Sequence, residues 1–130
     1  DADADADADA DPTLLPFGEC VASVFDPYDV GGITFDGDTL EVSVGYSGGC
    51  EDHEFQLCWN GVVIDGVIPE IQVKLGHDSR RDTCEAYISE VLRFDASWLS
   101  RDVGSTVNVV LLLGEGDYLS TVYDAEEAGK

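Results

Sequence analysis

The stretch Thr39-Leu40-Glu41-Val42-Ser43-Val44-Gly45-Tyr46 decides the fold, because apolar and polar residues alternate along it. Successive side chains of a β-strand point to opposite faces, so this period of two predicts a strand with its four large apolar side chains on one buried face. Turn signals enclose it, with Asp-Gly-Asp at residues 36–38 and Ser-Gly-Gly at residues 47–49. The stretch therefore predicts a sheet that covers a core on one side.

Further short β signals separated by Gly, Asp and Asn turns occur along the rest of the chain. They are Cys20–Phe25, Ile33–Phe35, Glu54–Trp59, Glu70–Leu75, Ser105–Leu113 and Tyr118–Tyr123. About eight short strands without convincing helices predict an all-β fold. We expect an antiparallel β-sandwich, immunoglobulin-like in general shape, with a small barrel as the alternative.

Two segments carry signals beyond a simple strand pattern. Asn60-Gly61 is a strong hairpin signal, since both residues tolerate positive φ, and it predicts a return arm at Val62–Ile64. Cys84–Phe94 fits a helix or a strand, and its β surroundings favour the strand. Glu90 falls out of phase with the apolar residues of that strand, which predicts a bulge.

The composition is strongly acidic, with 28 Asp and Glu against 6 Lys and Arg in 130 residues and a net charge of −22. Six of these acids lie in residues 1–11, so the remaining 119 residues carry −16 (−22 plus 6). Such a field repels nucleic acid and anionic lipid and attracts divalent cations and basic partners. Solubility, or adaptation to a salty medium, explains the charge equally well.

Four cysteines, no methionine and a weak helix signal are typical of an exported, disulfide-bonded domain. The chain opens on an acid without a signal peptide, so we expect Asp1 to be a mature terminus and the protein to be extracellular or at the cell surface. No run of residues approaches the roughly 18 apolar residues of a membrane span.

A cluster of small, cysteine, histidine and acidic residues stands out in the middle of the chain. It comprises Gly48-Gly49-Cys50-Glu51-Asp52-His53-Glu54-Phe55, Trp59-Asn60-Gly61, His77-Asp78, Asp82-Thr83-Cys84 and Leu92-Arg93-Phe94-Asp95. Over residues 46–99 this pattern resembles a small bacterial secreted or lipoprotein-type β domain of uncharacterised function. The resemblance implies a fold and an export route, and it implies no activity.

The cysteines permit three pairings, and spacing alone does not choose between them. Cys50 and Cys84 each stand at the mouth of a strand beside a polar loop, which favours a bridge worth about 3–4 kcal/mol and leaves Cys20 for Cys58. Alternatively, Cys50 and Cys84 with His53 and His77 form a Cys2His2 zinc site. With oxidised cysteines, the two histidines form either a metal site or a hydrogen-bonded structural pair with Asp78 or Asp82.

Loop carboxylates offer the oxygen ligands that calcium prefers. The candidates within the domain are Asp36 with Asp38 and Asp78 with Asp82; Asp26 with Asp29, Glu51 with Asp52, and Glu115 with Asp117 are further pairs. No pairing of a nucleophile with a base is recognisable, and the phosphate-loop and dinucleotide patterns are absent from the sequence. The sequence therefore predicts a protein that is not an enzyme.

Residues 1–11 alternate strictly between Asp and Ala. In an extended strand, Asp1, Asp3, Asp5, Asp7, Asp9 and Asp11 lie on one face with a spacing of roughly 6.8 Å, and the alanines lie on the other. Such a segment suits addition to a sheet edge of another subunit, with calcium neutralising the acidic row. Leu14, Leu15 and Phe17 would anchor the donated arm. An acidic spacer between a membrane anchor and its domain is the simpler alternative.

These features predict an arm and link at residues 1–17, a sandwich at 18–124 and a polar tail at 125–130. The predicted function is an exported structural subunit that polymerises with itself into a filament through its arm, with calcium between acidic surfaces. The alternative is a monomeric secreted or surface-anchored binding module with a metal or ligand site near His53 and His77. Neither interpretation involves nucleic acid.

Overall fold

Two β-sheets make up the computed structural model, which describes residues 14–15, 17–18, 25–114 and 116–128. The strands are β1 (Leu14–Leu15), β2 (Phe17–Gly18), β3 (Asp29–Asp36), β4 (Thr39–Gly48), β5 (Glu54–Trp59), β6 (Glu70–Asp78), β7 (Ala86–Asp95), β8 (Thr106–Gly114) and β9 (Asp117–Asp124). Two short helices are α1 (Leu99–Asp102) and α2 (Ala125–Ala128). One sheet has the order β1-β7-β4-β3 and the other β2-β5-β6-β8-β9. The predicted all-β sandwich is confirmed.

The core lies between the inner faces of the two sheets, where the period-of-two pattern places it. The alternating apolar residues of β4 are all buried, as predicted, and those of β6 and β8 face them across the sandwich. The buried members of these three strands are Leu40, Val42, Val44, Tyr46, Ile71, Val73, Leu75, Val107, Val109 and Leu111. Burial of these aliphatic faces holds the two sheets together.

Strand pairing is mostly antiparallel, as between β3 and β4, β4 and β7, β5 and β6, and β8 and β9. The pairs β1 with β7, β2 with β5, and β6 with β8 are parallel. The chain leaves β6 for β7 in the opposite sheet and then returns through α1 to β8. For this reason β8 lies beside β6 in the same direction.

The predicted hairpin after β5 is wrong. Gly61 has a φ of +84°, as the turn signal predicts, but Val62–Ile64 is not a return strand. Only Ile64 makes an isolated bridge, to Glu70. The antiparallel partner of β5 is β6, which pairs with every residue of β5. The inward-facing apolar residues of β6 complete the core in this arrangement.

The ambiguous segment is a strand, as predicted, but the predicted bulge is absent. β7 pairs with β4 from Ala86 to Asp95 without a register shift. Glu90 therefore keeps its place on the inward face, and its carboxylate accepts a hydrogen bond from the Tyr46 hydroxyl. Glu90 is itself exposed to solvent, so its charge has little desolvation cost in this register and no bulge is needed.

Leu14, Leu15 and Phe17 belong to the sandwich, which thus begins before the predicted boundary at residue 18. β1 pairs with β7, β2 pairs with β5, and Leu15 and Phe17 pack against the core. The ring of Phe17 meets the edge of Trp98 at a centroid distance of 5.0 Å. Residues 1–13, with the six Asp of the tract, and Cys20 lie outside the described residues. Neither described helix has the length and apolarity needed to cross a membrane.

Candidate functional site

His53 and His77 meet at one end of the sandwich, as the sequence-based interpretation allows. His77 lies near the end of β6 opposite Phe55 of β5, and His53 immediately precedes β5. This register brings His53 Nδ1 within 2.7 Å of His77 Nε2. The side chain of His53 is 2% exposed, and the whole residue His77 is also 2% exposed, so the pair is closed off from water.

Asp82, in the loop between β6 and β7, adds a carboxylate to the histidine pair. Its Oδ2 lies 2.8 Å from His53 Nε2 and accepts the backbone N–H groups of Glu51 at 3.1 Å and Cys50 at 3.2 Å. Its Oδ1 accepts the N–H of Cys84 at 3.0 Å. The pKa of Asp82 lies far below its usual 3.8, chiefly because His53 donates to it and then because the backbone N–H groups do. A fully buried carboxylate thus joins two loops.

The hydrogen-bond partners assign the protons of the two rings. His77 Nδ1 faces the carbonyl oxygens of Asp26 at 3.2 Å and Pro27 at 3.1 Å, so this nitrogen carries a proton. His53 Nδ1 and His77 Nε2 share one hydrogen bond, while His53 Nε2 donates to the ionised Asp82.

Burial lowers the pKa of His77 from its usual 6.5, in keeping with a neutral ring. Aromatic side chains surround it. The ring of Phe55 stacks on His77 at 4.5 Å and 3°, and Tyr46 packs against both histidines at 5.2 and 4.5 Å. Burial, followed by the hydrogen bond to Glu90, strongly raises the pKa of Tyr46. These rings exclude water from the histidine pair.

The disulfide Cys50–Cys84 lies beside this network. It contradicts the alternative of a zinc site through both thiolates, since oxidised sulfurs are not zinc ligands. In the described part of the chain, the only close group of three potential metal ligands is Cys50, Asp82 and Cys84, and the disulfide removes two of them. Cys58 is also disulfide-bonded, whereas its expected partner Cys20 lies outside the described residues.

Two other predicted calcium ligands, Asp38 and Asp78, accept hydrogen bonds through their carboxylates, and Asp36 lies in the strand ladder. Asp38 Oδ1 accepts the Tyr123 hydroxyl at 2.6 Å, and the Asp38 carbonyl accepts the N–H of Ala96. Asp36 pairs with Thr39 across the β3–β4 turn. Asp78 Oδ1 accepts the N–H of Arg80 at 2.9 Å, and the structure does not bring Asp78 into the histidine network. The calcium assignment at these residues stays a prediction.

Sequence reasoning missed three members of the site. Asp26 accepts both the N–H and the hydroxyl of Ser79 at 2.8 Å, which lowers its pKa and ties its segment to the loop that holds Asp82. The sequence predicts Tyr46 on a core face and a bulge at Glu90. The only sequence signal for the hydrogen bond between Tyr46 and Glu90 is that Glu90 is a single acid on the otherwise apolar face of its strand.

A shallow groove of about 470 Å³ lies on the outer face of the four-stranded sheet, away from the histidines. Its floor includes Gly31, Ser43 and Gly45. Tyr87 crosses Gly45 so closely that a Cβ there would lie 1.9 Å from the hydroxyl, which donates to Asp29 at 3.3 Å. This face therefore depends on a glycine beneath an exposed aromatic ring.

No family model matches the chain, and no curated protein matches it. Solved structures do match. A NigD-like immunity protein from Bacteroides caccae ATCC 43185 is 15% identical with a TM-score of 0.58, over 83% of this chain and 58% of that one. A candidate toxin-related protein from Parabacteroides distasonis ATCC 8503 is 15% identical with a TM-score of 0.61, over 88% and 64%.

A candidate lipoprotein from Bacteroides fragilis NCTC 9343 is 12% identical with a TM-score of 0.54, over 85% of this chain and 68% of that one. The chain spans only 58% and 64% of the immunity and toxin-related proteins. At these identities the likeness is one of fold, which defines the chain as an all-β sandwich of the architecture found in these proteins.

Proposed function

We propose that this chain is an exported, non-enzymatic β-sandwich domain that acts by binding another macromolecule. One observation carries the proposal: all four ring nitrogens of His53 and His77 are engaged within the protein. The neighbouring Cys50 and Cys84 are bonded to each other. The described polar cluster therefore offers neither a free nucleophile nor a free set of metal ligands, and it serves to hold three loops together.

Export is supported by the disulfides, which persist in oxidising compartments. The candidate lipoprotein of the same fold agrees with it, as does the resemblance of residues 46–99 to secreted or lipoprotein-type domains. One protein of the same fold is named an immunity protein, and binding of a macromolecule is proposed for this chain by analogy with that fold alone.

The arm-donating filament subunit is the less favoured function. The Asp-Ala tract and its calcium ions lie outside the described residues, and nothing in the described structure bears on them. Leu15 and Phe17, the predicted anchors in a neighbour, pack in their own domain. The metal-binding module is also less favoured, because a metal at His53 or His77 would have to displace an existing hydrogen bond.

Zinc titration tests the proposal. The oxidised protein is dialysed against zinc, and metal content is measured together with free thiols in denaturant. We expect substoichiometric zinc, no free thiol, and the same zinc content in the matched variant His53→Gln/His77→Gln. One zinc per chain that disappears in this variant would show a metal centre and overturn the proposal.

A further inference from the structure

The loop that joins β5 to β6 displays an unusual apolar surface. Residues 62–68, here called the apolar loop, read Val-Val-Ile-Asp-Gly-Val-Ile. All five aliphatic side chains are exposed: Val67 completely, Val62 by 54%, and the other three by 37–42%. Single exposed aliphatics are ordinary on protein surfaces, but five within seven residues mark an interaction site.

Hydrogen bonds fix the backbone of this loop in its exposed position. Trp59 Nε1 donates to the Val62 carbonyl at 2.9 Å, and the Val62 N–H donates to Asn60 Oδ1 at 2.9 Å. Ile64 and Glu70 exchange two backbone hydrogen bonds at 2.8 and 3.0 Å. The apolar side chains are therefore held in place before a partner arrives, which reduces the entropy cost of binding.

The two ends of the sandwich differ in character. β5 carries the chain about 17 Å from the histidine end, at Glu54, to the end that bears the apolar loop, at Trp59. There Trp59 packs against Trp98 at a centroid distance of 5.3 Å. The polar network and the disulfide rigidify one end of the sandwich. At the other end, the apolar loop begins beside the packed rings of Trp59 and Trp98.

The charge around the apolar loop indicates its partner. Among the described residues up to position 73 there are ten Asp and Glu and no Lys or Arg, and the exposed Lys74 follows on β6. Asp65 is exposed within the loop, and Glu70 follows it. Two of the bases that lie further along the chain, Arg80 and Arg93, already pair with Glu54 and Glu41. An apolar surface in such an acidic field is complementary to an apolar patch bordered by bases.

We propose that the apolar loop docks a cationic, amphipathic protein surface. The inference deepens the proposed function and rests on it. A second copy of this chain would bring another −22 charges to the contact, and insertion into lipid would desolvate the Asp65 carboxylate. The aliphatic side chains supply the anchor, and the acidic field accelerates the encounter.

Binding of a synthetic Leu–Lys peptide with one apolar helix face tests this docking. Its control is a scrambled peptide of the same composition, whose leucines surround the helix. Binding is measured calorimetrically at low and high salt, against Val62→Ser/Val67→Ser and the matched variant Tyr118→Ser/Val122→Ser. The second pair is also exposed, by 61% and 48%, but lies on β9.

We expect the amphipathic peptide to bind more tightly than the scrambled one and to weaken with salt. The loop variant should lose about tenfold in affinity, and the β9 variant less than about twofold. Equal binding by the loop variant, or by the scrambled peptide, overturns the proposal. So does loop-dependent binding to phosphatidylcholine vesicles or loop-dependent dimerisation. These failures leave the zinc result unaffected and are thus distinct from failure of the proposed function.

Discussion

Substitution of Gly48 by alanine should disturb the histidine network, because the position of the new methyl group is already occupied. A Cβ at Gly48 would lie 2.7 Å from His53 Nε2 and 2.9 Å from Asp82 Oδ2. Contacts under 3.0 Å essentially never occur around a real Cβ. Neither side chain can move into solvent, since they are 2% and 0% exposed and bonded to each other.

Two opposing effects set the size of the change. Forcing an extra methyl group into a filled site costs about 1–3 kcal/mol. Replacement of glycine by alanine also restricts the unfolded chain, which stabilises by about 0.4–1 kcal/mol where the backbone is compatible. Gly48 does not have a positive φ, so no backbone strain adds to these effects. We expect Gly48→Ala to lower the free energy of unfolding by about 1–2 kcal/mol.

Gly32→Ala is the matched control, because Gly32 lies in β3 of the same sheet and a Cβ there meets nothing within 4 Å. Urea unfolding should show this variant unchanged or stabilised by up to about 1 kcal/mol. Imidazole nitrogen NMR should show altered His53 signals in Gly48→Ala alone. The reasoning is refuted if Gly48→Ala is as stable as the wild type, or if both variants are destabilised equally.

Three further predictions concern the disulfide, pH and the acidic tract. Cys50→Ala/Cys84→Ala removes a link across 34 residues and should cost about 4 kcal/mol in urea unfolding; a loss below about 1 kcal/mol would contradict it. Burial lowers the pKa of His77 below 6.5, so the unfolded chain binds the proton first and stability should fall as pH drops below about 6.5. Urea midpoints at about pH 7 and pH 5 measure this fall, which should shrink in His77→Phe. If the tract assembles with calcium, a chelator should dissolve filaments seen by electron microscopy, and deletion of residues 1–11 should abolish them; a strictly monomeric chain at high calcium would refute assembly.

Local pattern was enough to predict most of the strands. The alternation in β4 and β6 assigned the correct inward faces, because a period of two is a property of neighbouring residues. Local pattern failed where a distant partner decided the outcome. Gly61 adopted the positive φ that the Asn-Gly signal predicts, but burial in the core selected β6 as the antiparallel partner of β5. Glu90 stayed in register because it is exposed to solvent there and also accepts a hydrogen bond from Tyr46, 44 residues away.

The candidate site shows the same division. The sequence supplied the polar residues and indicated that His53 and His77 could meet beside an oxidised Cys50–Cys84 pair. Only the tertiary structure selected Asp82 over Asp78, recruited Asp26, and engaged every ring nitrogen.

By itself, then, the sequence determined the all-β class, the acidic field and the apolar composition of residues 62–68. The tertiary structure alone decided that the histidines form a closed network and that the apolar loop stays exposed. Both depend on the β5–β6 register, which places His77 opposite Phe55 at one end and leaves residues 62–68 as a loop at the other. Register is set by burial of a whole face of the sheet, which no local segment contains.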